Sequence, residues 1–201
     1  APSRRGRLIY QAWDFAITEN TNSDWTVCAT IMQDEFDNLY VLDVFRFKSD
    51  DGNAIVEHMI DQYLLWDADY LGMEDGQIWK SIRSQFEKRC KERKVYPSTQ
   101  ILVPLTDKLV RANPLKGRMQ LGKVLFPEAG SRPWVDACVR EMIVFPNGKH
   151  DDQVDALAWA VRMTLERPPP KDPTPKPKGP ESWKKKLQRM LSGQGGGHMA
   201  A

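Results

Sequence analysis

Three short runs of β-branched and aromatic residues follow one another early in the chain: RLIYQAWDFA, DWTVCATIMQ and NLYVLDVFRF. Apolar and polar residues alternate along the first, which sets a strand ending near Asp14, and the polar turn DEFDN, with Asp37 and Asn38, separates the other two. Strands this close in sequence pair antiparallel, so the fold is expected to begin with a meander. The next segments have a different period. Ile55, Val56, Met59, Ile60, Tyr63 and Leu64 keep helical spacing over about Ala54–Trp66, the apolar piece YLGMED comes after them, and Ile78, Trp79, Ile82 and Phe86 mark a second helix. STQILVPLT reads as another buried strand, DKLVRA as a short helix limited by Pro114, and VLFP as a strand fragment. RPWVDACVREMIVFP reads as a helix stopped by Pro146, and GKHDDQVDALAWA as the start of the last helix. Strands joined through helices normally run parallel. The expected architecture is therefore α/β: a mixed central sheet, antiparallel meander plus parallel strands, flanked by helices.

The 201 residues suffice for one well-filled core plus a tail. The boundary is expected at Glu166, giving a domain over 1–166 and a Pro/Lys-rich tail over 167–201. Seven of the fourteen prolines lie in RPPPKDPTPKPKGP, an extended linker, and beyond it SWKKKLQRML spaces Trp183, Leu187, Met190 and Leu191 along one helical face. The net charge of +2 divides unevenly, with the tail near +6 and the remainder near −4. A slightly acidic body does not suit nucleic-acid binding by overall charge; it suits clustered carboxylates with local basic patches. No apolar run approaches the ~20 residues that span a bilayer, and no apolar stretch of signal-peptide length follows the basic residues of APSRRGRLIY, so neither a membrane span nor export is expected. Cys28, Cys90 and Cys138 lack CxxC spacing and read as buried thiols.

The acids are the chemistry. Asp14 ends the first strand, Glu74 ends the strand YLGMED ahead of Gly76, and Asp151, Asp152 and Asp155 open the last helix. If the first and fourth strands are neighbours, Asp14 and Glu74 meet at their carboxyl ends, and the Asp151/Asp152 pair completes the group. Carboxylate oxygens suit Mg²⁺ or Mn²⁺, and several of them hold two ions about 3.5–4 Å apart. Taken singly, Asp151 or Asp152 reads first as an N-cap, Asp14 as a strand-end Asp in a turn, and Glu74 as a solvated acid; it is their convergence at one sheet edge that points to a site. Asp155 either supplements the site or pairs with a basic residue. Asp24, Asp43 and Asp75 are secondary candidates.

WDFAITENTNSDWTV, LGMEDGQIWKSI, DKLVRANPLKGRM and FPNGKHDDQVDALAWA, in this order and with RPWVDACVREMIVFP before the last, resemble the C-terminal nuclease domain of the large terminase subunits of tailed bacteriophages. The resemblance covers roughly Arg7 to Glu166 and implies a ribonuclease H-like fold. It further implies metal-dependent endonucleolytic cutting of double-stranded viral DNA, with little sequence preference, to start and finish genome packaging in the cytoplasm of an infected bacterium. On that reading Asp14, Glu74 and Asp152 are catalytic metal ligands with Asp151 and Asp155 beside them, and the metal is Mg²⁺ or Mn²⁺, with two ions expected. His150 orients an acid or contacts phosphate. The portal or procapsid and the small terminase subunit are the implied partners. No GxxxxGK[ST] loop occurs in the chain, so the packaging ATPase of full-length members is not expected within it.

Phosphate contacts are assigned to Lys108, Arg111, Lys116 and Arg118 in the loop-rich segment DKLVRANPLKGRM, and to Lys88 and Arg89 in the basic run of the second helix, where a merely solvated face is the competing reading. Two other functions fit the same residues: a junction resolvase or recombinase, and a non-catalytic docking module joining a motor to its capsid.

Overall fold

The computed structural model describes residues 6–16, 24–104 and 107–169. The tail's linker beyond Pro169 and the segment around Trp183–Leu191 lie outside the described residues. Six strands form one sheet in the order β5-β4-β1-β2-β3-β6. β1 (Leu8–Asp14), β2 (Thr26–Gln33) and β3 (Leu39–Phe47) are the expected antiparallel meander. Its second turn is built by Asp34, whose carboxylate accepts from the backbone N–H of Phe36 and of Asn38, and Asp37 takes the left-handed conformation at φ 63°. After α1 (Gly52–Trp66) the chain returns as β4 (Tyr70–Glu74), parallel to β1, and after α2 (Gln77–Arg93) as β5 (Thr99–Leu102), parallel to β4. α3 (Lys108–Gln120), β6 (Val124–Leu125), α4 (Pro133–Val144) and α5 (Asp152–Glu166) complete the described fold.

Because side chains alternate across a strand, β1 is buried on both faces. Tyr10 and Ala12 join the core formed with α5, whereas Trp13 joins the one formed with α1 and α2. By the same alternation Asp14 follows Ala12 toward α5. On the neighbouring strand Gly72 faces α5 closely: a Cβ there would lie 2.5 Å from Met163 Sδ and 2.8 Å from Leu102 Cδ1. Glu74, two residues on, points the same way. Gly72→Ala is expected to cost about 1–3 kcal/mol through this overpacking, read as a lower urea midpoint with an unchanged slope.

Two expectations are corrected. STQILVPLT is not a buried strand but a four-residue edge strand in which only Leu102 is buried, since β5 has a neighbour on one side only and Ile101 stays 41% exposed. DKLVRANPLKGRM is not loop-rich either: α3 runs through Pro114 for 13 residues. Proline forfeits the bond to the carbonyl four residues back, at Val110, a residue that is 47% exposed. Continuing the helix buries Leu115 in the core beside α5, which outweighs the single lost bond.

Candidate active site

The parallel register Tyr10↔Tyr70 through Trp13↔Met73 ends one residue short of Asp14 and Glu74, which therefore stand side by side at the carboxyl ends of β1 and β4. Their carboxyls are close neighbours. Two carboxylates placed side by side repel each other, and a shared proton or a cation relieves that repulsion. The Asp14 carboxyl is pushed well above the usual carboxylate range, first by desolvation, then by its bond to Glu74 and by the charges of Glu74, Asp155 and Asp152. The structure thus brings acids from β1, β4 and α5 to one edge of the sheet.

The first turn of α5 supplies two kinds of aspartate. Asp152 is 5% exposed, accepts from the Trp25 backbone N–H at 3.0 Å, and has a pKa raised to about 6 by burial and by the nearby charges of Asp24, Glu141 and Asp151. Its Oδ2 lies 3.9 Å from His150 Nδ1, and ligand atoms of Asp24, His150 and Asp152 all fall within 4.8 Å of one another. These three form a candidate cation cluster of two oxygens and one nitrogen. Asp155 is different. Its carboxylate is already neutralised, by Lys108 Nζ at 2.9 Å and Arg111 Nη2 at 3.2 Å, and Lys108 also holds Asp151 at 2.8 Å.

Raised acids have a stability consequence with a definite sign. A folded-state value near 6 for Asp152, against about 3.9 in an unfolded chain, means that its contribution is present below pH 4 and lost as the pH rises through 6. Taken by itself, this group should lower metal-free stability by about 2–3 kcal/mol between pH 4 and pH 7. Urea unfolding in chelator across that range, with Asp152→Asn as reference, checks it.

The N-terminus of α5 is capped by a residue that no motif singles out. Asp151 occupies the N-cap position but its side chain makes no cap bond. Glu141, 8% exposed on α4, caps the helix instead: Oε1 accepts from the backbone N–H of Gln153 at 2.7 Å and of Val154 at 3.2 Å, and Oε2 from Gln153 Nε2 at 2.5 Å. The sequence does carry a signal for it, because Glu141 continues the buried helical stripe of Val135 and Cys138, where a lone acid needs a partner. Glu141→Ala strips the cap and leaves buried donors unmatched. It is expected to cost about 2–3 kcal/mol, measured by urea unfolding.

The basic candidates separate. Lys108 and Arg111 sit within the acid group. Lys116 lies on α3, with Leu109, Met119 and Phe145, around a cavity of about 480 Å³, and Arg118 donates to the Asp37 carbonyl at 2.9 Å. Lys88 and Arg89 are across the sheet on α2, where Arg89 binds Glu57 and Glu92, Lys88 approaches Glu92, and Arg93 bridges Glu57 and Asp61. The structure does not bring them to the acids. Asp75, next in the chain to Glu74, pairs with Lys80 at 3.2 Å, and Asp43 lies near Trp66. Cys28, Cys90 and Cys138 are buried free thiols. No described helix is long and apolar enough to cross a membrane.

A meander extended by parallel strands, with helices on both faces and acids at the carboxyl edge of the central pair, defines a ribonuclease H-like domain. The family described as the terminase RNaseH-like domain matches residues 11–164, and the chain belongs to it. A comparison with curated proteins found no match. Among solved structures, the chain is similar to the large terminase of a thermophilic bacteriophage, at 10% identity and TM-score 0.56 over 82% of this chain. It spans 42% of the length of that terminase. It is also similar to a mutant nuclease domain of the large terminase subunit gp2 of bacterial virus Sf6, solved with manganese and β-thujaplicinol, at 12% identity and TM-score 0.57, covering 79% of this chain and 89% of that one. A fowlpox virus resolvase, in complex with Holliday junction DNA, aligns at 9% identity and TM-score 0.50 over 79% of this chain and 98% of its own. At these identities the likeness is one of fold.

Proposed function

We propose that this chain is a divalent-metal-dependent endonuclease that cuts double-stranded DNA with little sequence preference, making the cuts that begin and end viral genome packaging. The observation that carries the reading is the parallel register of β1 and β4, which sets Asp14 beside Glu74 at adjacent strand ends, with Asp152 and Asp155 near enough to raise Asp14 further. Family membership supports a nuclease, and the manganese in the Sf6 nuclease domain supports the choice of metal.

The donor set fits Mg²⁺ or Mn²⁺. Hard carboxylate oxygens dominate it, and they come from three elements whose mutual repulsion a cation relieves. Asp14, Glu74 and Asp152 are the proposed ligands, with Asp151 nearby. Bound there, a pair of such ions supplies an activated water and charge stabilisation for the leaving oxygen. The protein's part is orientation: β1 and β4 fix Asp14 and Glu74 in register, the Trp25 N–H fixes Asp152, and Lys108 with Arg111 neutralises Asp155. Within this role the portal or procapsid and a small terminase subunit are the proposed partners, in the cytoplasm of an infected bacterium.

Plasmid incubation with Mn²⁺, Mg²⁺ or chelator tests the proposal. Nicking and linearisation with either metal and none with chelator is the expected outcome. No cutting with any metal, or equal cutting by Glu74→Ala and wild type, would overturn it. Preference for a four-way junction over linear duplex would reassign the enzyme as a resolvase.

A further inference from the structure

A second charged feature adjoins the acids. Strand alternation along β3 sends Phe45 and Phe47 to the core formed with α1 and α2, so Arg46 projects to the α4/α5 side of the sheet. There its Cζ lies 4.7 Å from the centroid of the Trp25 ring, and Lys48 Nζ lies 4.6 Å from the same centroid. Trp25 is the residue whose backbone N–H holds Asp152 Oδ2 at 3.0 Å. One residue thus ties an acid of the candidate site to an aromatic plate bearing two cations.

The electrostatics need this arrangement. Asp14, Glu74, Asp24, Asp151 and Asp152 repel a polyanion, so a DNA strand reaches them only where cations beside the cluster take its phosphates. Lys88, Arg89 and Arg93 of α2 lie across the sheet with Glu57, Asp61 and Glu92, and Lys108 and Arg111 hold Asp151 and Asp155. Arg46 and Lys48 stand over an indole on the same side as Asp152. Cation–π contact, worth about 0.5–1 kcal/mol at exposed sites, fixes where such side chains stand. Both residues are partly exposed.

We propose that Arg46 and Lys48, held on Trp25, form the phosphate-contacting surface that seats the DNA backbone against Asp152. This rests on the nuclease reading above, and names how its substrate is held. The contact is to phosphate, so it positions the duplex without reading sequence.

The test is fluorescence anisotropy of a labelled duplex with the full chain in Ca²⁺, as a function of salt, for wild type, Arg46→Gln, Lys48→Gln and the double variant. Calorimetric titration with Mn²⁺ runs in parallel, and circular dichroism admits only folded variants. Each single change is expected to weaken binding about 3–10-fold and to lower the slope of log K against log salt by about 1, with near-additive loss in the double variant. Unchanged affinity and slope in the single variants would overturn the proposal. So would a loss of Mn²⁺ affinity that matches the loss of DNA affinity, because the cations would then be serving the acids. Metal-dependent cleavage by wild type is scored separately: if wild type binds DNA through these residues yet never cuts, the surface stands and the nuclease reading falls.

Discussion

Asp14→Asn is expected to lower metal-dependent DNA cleavage by about 10³-fold or more while making the metal-free protein more stable. Both effects have one cause. The Asp14 carboxyl is raised by desolvation and by Glu74, Asp155 and Asp152, all of which disfavour its ionised form. At neutral pH the apo protein therefore holds charge or an extra proton there at a cost. An amide of the same shape donates an N–H to Glu74 instead, and the repulsion disappears. A gain of about 1–2 kcal/mol is expected, seen as a higher melting temperature in chelator. The same substitution removes a proposed ligand, so Mn²⁺ should no longer raise the melting temperature as it does in wild type. Loss of cleavage with unchanged metal-free stability would mean that Asp14 is not strained by its neighbours as described.

Asp155→Ala is expected to do the opposite to stability, although Asp155 lies in the same acid group. Its side chain is 3% exposed and meets Lys108 at 2.9 Å and Arg111 at 3.2 Å; Arg111 is itself only 9% exposed and stacks over Trp159. Removing the carboxylate takes one counter-charge from a buried guanidinium. About 3 kcal/mol of destabilisation follows, less than the upper end for such pairs because Lys108 is half-exposed and keeps Asp151. Urea unfolding measures it. Pairing Asp155→Leu with Arg111→Met should recover most of the loss, since an apolar pair of similar volume buries no charge. Opposite signs for Asp14 and Asp155 would show that one acid cluster contains a strained half and a satisfied half.

That division cannot be read from spacing. Asp14, Glu74 and Asp152 stand out as candidates by position, at strand ends and at a helix start. In the linear string Asp155 looks the same as Asp151 and Asp152, being one turn away on the same helix, and only the packing of α3 against α5 sets Lys108 and Arg111 against it. From composition alone those two cations pass for phosphate contacts. A local rule for proline likewise ends α3 at Pro114, because it does not include the burial of Leu115 that rewards continuing. Glu141 escapes notice since its partners, Gln153 and Val154, belong to another helix.

The element order, the antiparallel meander, the parallel return after a helix and the set of acids at element ends are all legible in the order of residues. Periodicities of 2 and 3.6 and turn residues act over a few positions, so they survive in a linear string. Packing in three dimensions decided the rest: which carboxyls touch, which are neutralised by cations, what caps α5, and which basic residues face the acids. Coulomb energy and desolvation depend on distances between groups far apart in the chain, and those distances exist only once the sheet and its helices have packed.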